Sequence, residues 1–281
     1  MNKTKKLPLC EYKDGETDDH GIEAVNLYLP VQNGYILHTV VHSVHEKKAC
    51  DTWRLGPVYH CDDSLLPVTR LTCPRAEWEM ALRLQDTPDF IGGVAHGDEK
   101  YEELSITLDG RPHALCDLKE KTAFEVLSLT VRSRGFDPSN PTEQVLWHTK
   151  TLTARADGVE VDQTVEWLTT QKLATSYMAM MPPLKEHTNR YQTEKDEAPS
   201  PIVERRYTQT GDFHSLCLTG EKYAFTMTVK KYLTAPEGNT YLITDNGGDS
   251  YHKMYFVLAH GGEAKEGDVW RTQTHYQIQT L

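Results

Sequence analysis

Apolar and polar positions alternate with a period of two along most of the chain, the pattern of strands with one buried face. Between Ala76 and Leu84, the side chains of Trp78, Met80, Leu82 and Leu84 fall on one face, while Glu77, Glu79 and Arg83 fall on the other. Turn signals separate such runs. Asp109-Gly110 predicts a hairpin within residues 105–112. Asp157-Gly158 predicts a longer one, joining residues 145–155 to residues 159–167, with Val159, Val161, Val165 and Trp167 on one face. Further strands are expected over residues 223–229, 251–258 and 268–278, with Gly261, Gly262 and Gly267 connecting the last two. No long amphipathic helix is visible. Residues 119–127 form the best short candidate, and they lead equally well into a strand over residues 124–131.

Regularly spaced strands predict an all-β fold, an antiparallel β-sandwich of jelly-roll type. Its expected organisation is an N-terminal arm over residues 1–20 and a single β-sandwich domain over residues 21–281. Residues 182–201 are polar, charged and bounded by prolines. They read as a long loop over one face or end of a sheet, where His187, Arg190 and Tyr191 either close over a ligand or stay solvated.

Composition supports the strands. The 281 residues include 31 threonines and 14 tyrosines, types that suit a pleated, half-buried surface. The 41 acidic and 30 basic side chains give a formal charge of -11, which disfavours a general nucleic-acid or anionic-membrane binder. No run approaches the ~18 apolar residues of a membrane-spanning helix. The basic start lacks an apolar leader core, so the sequence as it stands reads as cytoplasmic, or as secreted if a leader was removed. Six widely spaced cysteines without a CxxC pair read as free thiols. Phosphate-loop, GxGxxG, HExxH and GxSxG patterns are missing, which disfavours nucleotide-dependent and α/β-hydrolase chemistry.

Two segments carry candidate chemistry. Residues 89–101 place His96, Asp98 and Glu99 among Gly92, Gly93 and Gly97, after one strand and before another. His96 suits a general base, with Asp98 or Glu99 fixing its tautomer. A tight turn with solvated charges is the competing reading. Without a second ligand cluster, neither a metal nor another cofactor is expected. The second segment is Tyr251, Lys253 and Tyr255, which point the same way on a strand, ~6.6 Å between neighbours. Two phenols beside an ammonium make an acid–base and anion-binding surface, unless the face is merely exterior.

Tyr251-x-Lys253-x-Tyr255, with Arg75-Ala-Glu77 earlier, resembles the motifs of β-jelly-roll polysaccharide lyases such as alginate lyases. The match spans about ten residues. It departs from the family pattern at Glu79, where an Arg is expected, and it has no Gln-x-His segment. The resemblance implies metal-independent β-elimination on a uronic-acid glycan. A cation neutralises the C5 carboxylate, a base removes the C5 proton, and an acid protonates the leaving glycosidic oxygen.

On this reading His96 is the base and Tyr255 or Tyr251 the acid, with Arg83, Lys253 or Arg54 on the carboxylate. Trp53, Arg54, Glu99, His148, Arg190 and Tyr191 complete the expected binding set, with Trp53 as the exposed platform. His148 suits a groove or the core. His38 and His42 share a strand face ~13 Å apart, too far to hold one metal alone. Two rivals remain. One is a glycoside hydrolase pairing Glu77 or Glu79 with Asp98 or Glu99. The other is a non-catalytic carbohydrate-binding module. The expected partner is an acidic oligo- or polysaccharide, and the oligomeric state is left open.

Overall fold

The computed structural model describes residues 6–17, 21–45, 49–73, 78–87, 89–92, 97–202, 207–211, 213–231, 239–244 and 250–281. The first strands are β1 (Leu9–Thr17), β2 (Gly21–Val31), β3 (Gly34–His45), β4 (Cys50–Cys61) and β5 (Pro67–Arg70). Next come β6 (Ala81–Leu84), β7 (Glu99–Leu108), β8 (Arg111–His113) and β9 (Thr122–Ala123). The middle of the chain forms β10 (Leu127–Asp137), β11 (Asn140–Arg155), β12 (Gly158–Trp167) and β13 (Gln171–Met181). Then follow β14 (Arg190–Thr193), β15 (Ser200–Pro201), β16 (Tyr207–Gly211), β17 (Ser215–Thr219), β18 (Tyr223–Lys231) and β19 (Asn239–Thr244). The last are β20 (Lys253–His260), β21 (Glu263–Ala264) and β22 (Val269–Thr280).

These strands build an all-β, antiparallel-rich sandwich, as the alternation predicts. The long sheet runs β15-β14-β17-β18-β22-β12-β11-β10-β7-β4-β3-β2-β1-β9, with β5 beside β4 and β8 beside β7. A smaller sheet runs β16-β19-β20-β13-β21, with β6 also beside β13. Strand β4 meets β7 in parallel through one pair, Asp51 opposite Lys100. The long sheet curls back on itself. His60 on β4 bonds through Nδ1 to the Tyr223 hydroxyl on β18 at 2.9 Å, although five strands lie between them in the sheet order.

The predicted β11–β12 hairpin is present, with Arg155 opposite Gly158. Its inner face buries Leu146, Leu152, Val159, Val161, Val165 and Trp167. They join one core cluster that reaches from Cys10 to Ile278 and includes Met178, Met254 and Phe256 of the smaller sheet. The outer face explains the abundance of threonine. Hydroxyls pair across strands there, Ser128 with Thr153 at 3.3 Å, Thr130 with Thr151 at 2.9 Å and Ser215 with Thr228 at 3.1 Å.

Three expectations change, and one open alternative is decided. Residues 9–17 of the expected arm are a strand paired with β2 and β9, because their backbone groups complete the sheet edge. Trp78 and Met80 are buried as predicted, but regular pairing starts only at Ala81. There Met80 N donates to the Gln163 side chain rather than to a neighbouring strand. Of the two readings of residues 119–127, the extended one holds, since β9 lies within it and β10 starts at Leu127. Residues 182–201 are not one long loop. A 3-10 turn at Lys185–His187, β14 and β15 tie them to the long sheet.

Gly158 meets a double constraint at the β11–β12 turn. Its φ is +149°, and an added Cβ would lie 2.5 Å from the Tyr276 carbonyl oxygen. Gly158→Ala is expected to destabilise the fold by at least ~2 kcal/mol, measured by urea denaturation. A midpoint unchanged from the parent protein would refute this reading of the turn.

Candidate functional site

Three polar constellations stand out, and the sheets keep them apart. The first is a row buried between the sheets. Strands β7, β10, β11, β12 and β22 each place a polar side chain on the inner face, at Glu99, Ser133, His148, Gln163 and Thr272. His148 Nδ1 lies 3.0 Å from Glu99 Oε1, and its Nε2 lies 3.2 Å from Gln163 Oε1. Gln163 then bonds the smaller-sheet side of the core, accepting from Met80 N at 3.1 Å and donating to Met178 O at 2.6 Å. Burial alone would raise the Glu99 carboxyl, but the charge of Lys150 and the charge and hydrogen bond of His148 outweigh it. The net effect holds Glu99 at about 2. Arg54 is also buried, donating to Ser43 Oγ at 3.0 Å and Leu55 O at 3.1 Å.

The second constellation was not anticipated. Glu23, His42 and Trp53 are cross-strand neighbours on β2, β3 and β4. His42 Nδ1 lies 2.6 Å from Glu23 Oε1, and its Nε2 lies 2.8 Å from Asp51 Oδ1. The ring stacks on Trp53 at 5.0 Å and meets Tyr101 edge-on at 5.1 Å. The Tyr12 hydroxyl donates to Glu23 Oε2, which raises that phenol well above its usual range. With a carboxylate within hydrogen-bond distance of each ring nitrogen, the group ties three strands together. In sequence His42 and Trp53 stood out only singly, His42 as sharing a strand face with His38 and Trp53 as an exposed platform. The partners of His42 depend on strand register, which no local pattern reveals.

The third lies on the outer face of the smaller sheet. The Arg83 guanidinium sits over the Phe90 ring at 5.8 Å, and Phe90 stacks on Tyr177 at 5.9 Å. Tyr177 meets Tyr255 at 4.6 Å. Two residues before Tyr255, at the start of β20, the Lys253 ammonium lies over the Tyr251 ring at 5.3 Å. Pairing explains the convergence. Strand β13 sits between β6 and β20, so Arg83 lies opposite Thr175, Tyr177 opposite Ala81, and Met180 opposite Tyr255. Arg83 is exposed and the aromatic groups are half-buried. Beside them is a shallow depression of about 30 Å3 lined by Met180, Tyr251, Lys253 and Tyr255.

Four of the five expected catalytic residues, Arg83, Tyr251, Lys253 and Tyr255, therefore share one face. His96 lies outside the described residues, as do Arg75 and Glu77. The expected binding set does not join them. Arg54, Glu99 and His148 are inside the sandwich, on the other side of the smaller sheet. Trp53 is fully buried, so it is not an exposed platform, because the His42 ring stacks over it. The half-buried indole is Trp147 instead, covered by Arg132 at 4.1 Å. Arg190 and Tyr191 belong to strand β14, and Tyr191 packs against the core. The acids of the hydrolase rival fare no better as an open pair. Glu79 is buried and accepts from Leu55 N at 2.8 Å, and Asp98 and Glu99 are buried too.

No family model matches the sequence, and no curated protein matches it. Solved structures do resemble the fold. A glycoside hydrolase family 97 enzyme from Pseudoalteromonas sp. strain K8, in complex with acarbose, aligns with a TM-score of 0.51 at 9% identity, over 89% of this chain and 35% of that one. A presumed aldose 1-epimerase from Escherichia coli K12 aligns with a TM-score of 0.44 at 11% identity, over 90% of this chain and 99% of that one. Heparinase III aligns with a TM-score of 0.47 at 7% identity, over 95% of this chain and 37% of that one. The chain thus spans little more than a third of the hydrolase and of heparinase III. At these identities the likeness is one of fold.

Two outcomes test the buried row. Gln163→Leu strands Met80 N, Met178 O and a His148 nitrogen at once, and is expected to cost about 3 kcal/mol in urea denaturation. Glu99 is ionised in the fold down to about pH 2, against 4.5 for a free side chain, so its contribution is full above pH 4.5 and is lost as pH falls towards 2. Glu99→Gln is expected to lower stability at neutral pH by about 3 kcal/mol, with the gap to the parent closing over that acid window. An equal gap at pH 7 and pH 2.5 would contradict the assigned charge.

Proposed function

We propose that this protein is carbohydrate-active and takes an acidic glycan on the outer face of the smaller sheet, cleaving it by β-elimination. One observation carries the reading, the convergence of Tyr177 and Tyr255 with the cations Arg83 and Lys253 on a single open face. Sugar rings have apolar C–H faces that pack on aromatic rings, and a uronate adds a carboxylate that a guanidinium or ammonium pairs with. The shared fold with a family 97 glycoside hydrolase that binds acarbose supports a sugar ligand.

The chemistry follows from the substrate. Arg83 or Lys253 neutralises the C5 carboxylate, which makes the C5 proton removable. The base takes that proton, its bonding electrons form the C4–C5 double bond, and the C4–O bond breaks. Tyr255 gives its proton to the departing glycosidic oxygen. The base is assigned to His96 from the sequence, and Tyr251 is the second acid candidate. The small volume of the depression favours one competing reading, a binding module without catalysis.

The test incubates the full chain with a panel of uronate polymers and follows the ultraviolet absorbance of the unsaturated product. A rise is expected, with Tyr255→Phe slowing it about a hundredfold and His96→Ala abolishing it. New reducing ends without absorbance would replace elimination by hydrolysis. Binding that produces neither would leave a non-catalytic module.

A further inference from the structure

The cations and rings on the outer face of the smaller sheet are strung out along it, and strand pairing fixes how far. Arg83 on β6 is opposite Thr175 on β13, and Thr175 is opposite His260, the last residue of β20. Lys253 is the first residue of the same strand. The two cations therefore stand level with the two ends of an eight-residue strand. At the rise of a β-strand they are roughly 20 Å apart along the sheet, with β13 between their strands. A guanidinium and an ammonium so placed cannot grip the same carboxylate.

Aromatic rings fill the space between them. The Arg83 guanidinium lies 5.8 Å from the Phe90 ring, Phe90 lies 5.9 Å from Tyr177, and Tyr177 lies 4.6 Å from Tyr255. Tyr251 lies beyond, under the Lys253 ammonium. No carboxylate belongs to this series. A line of half-buried rings accepts the C–H faces of successive sugars, and a cation near each end accepts a carboxylate. Two cations at that distance are too sparse for a nucleic acid, which brings a phosphate with every nucleotide. The two cations also differ in their distance from the acid. Lys253 is two residues from Tyr255 on the same face, about 6.6 Å away along the strand. Phe90 and Tyr177 stand between Arg83 and Tyr255.

We infer that this face is an extended track for an oligomer with carboxylates on more than one unit, and that its two cations have separate tasks. Lys253 neutralises the reacting uronate beside Tyr255. Arg83 anchors a second uronate several units away and so sets a preference for chain length. The track rests on the glycan reading of the same face.

The test gives the full chain oligomannuronates, oligogalacturonates and hyaluronan oligosaccharides, each from dimer to octamer. Turnover is followed by absorbance, and affinity by calorimetry, so the track is read with or without cleavage. In the series that is accepted, kcat/KM or affinity is expected to rise about tenfold between trimer and hexamer. Arg83→Gln is expected to remove most of that rise, acting through KM, whereas Lys253→Gln lowers kcat at every length. Melting temperatures check that both variants fold, and the length profile of the parent stands without them. A parent indifferent to length overturns the track and leaves cleavage intact. So does an Arg83→Gln loss that is equal for trimer and hexamer, or single-stranded poly-dT binding more tightly than every hexamer. Neither binding nor turnover with any series defeats the glycan reading, and the track with it.

Discussion

Polar groups shut between two sheets must be bonded there, and Gln163 meets that requirement for both sheets at once. It lies on β12 of the long sheet and accepts from Met80 N and donates to Met178 O, which flank β6 and lie on β13. Apolar contacts between the sheets set no unique alignment, since they are not directional. A carboxamide that binds one donor and one acceptor on the facing layer does. His148 and Glu99 extend the same chain of bonds towards β4, where Thr52 donates to Glu99 at 3.5 Å. The buried charges of Glu99 and Lys150 are tolerated because they neutralise one another.

This cross-tie also divides the molecule's chemistry. With the smaller sheet fastened over the inner face, the polar row beneath it is closed off, whatever its resemblance to a catalytic set. Groups on the outer face of that sheet are open, and β13 brings Arg83 and Tyr255 together there from opposite neighbours. The curl of the long sheet makes a third environment. His60 and Tyr223 join strands far apart in the order, and the cleft at His38 lies where β2 and β3 face β22. One fold thus presents a cationic aromatic face on its smaller sheet and a cleft where its long sheet curls.

Much of the architecture was legible in the sequence. The alternation over residues 145–167, with Asp157-Gly158 at its centre, specified a hairpin that the structure contains. Tyr251, Lys253 and Tyr255 were expected on one face, and they share it. Trp53 shows where local reading failed. Its polar neighbours Asp51, Thr52 and Arg54 suggested exposure, yet it stacks on His42 in the interior while Thr52 and Arg54 are buried on the other side. Residues 182–201 looked like a loop because their polarity is high. They pair at the sheet edge, where only backbone groups need partners.

The sequence by itself determined that the chain is built of strands and, over residues 145–167 and 251–255, which side chains share a face, because a period of two is written in each of those segments alone. Only the tertiary structure decided which faces are covered. The same alternating strand is buried on both sides or open on one, according to what packs against it. Register is equally non-local. Glu23 and Asp51 clasp His42 because β2 and β4 flank β3 at one particular offset, and a slip of a single residue would turn each of those side chains to the opposite face.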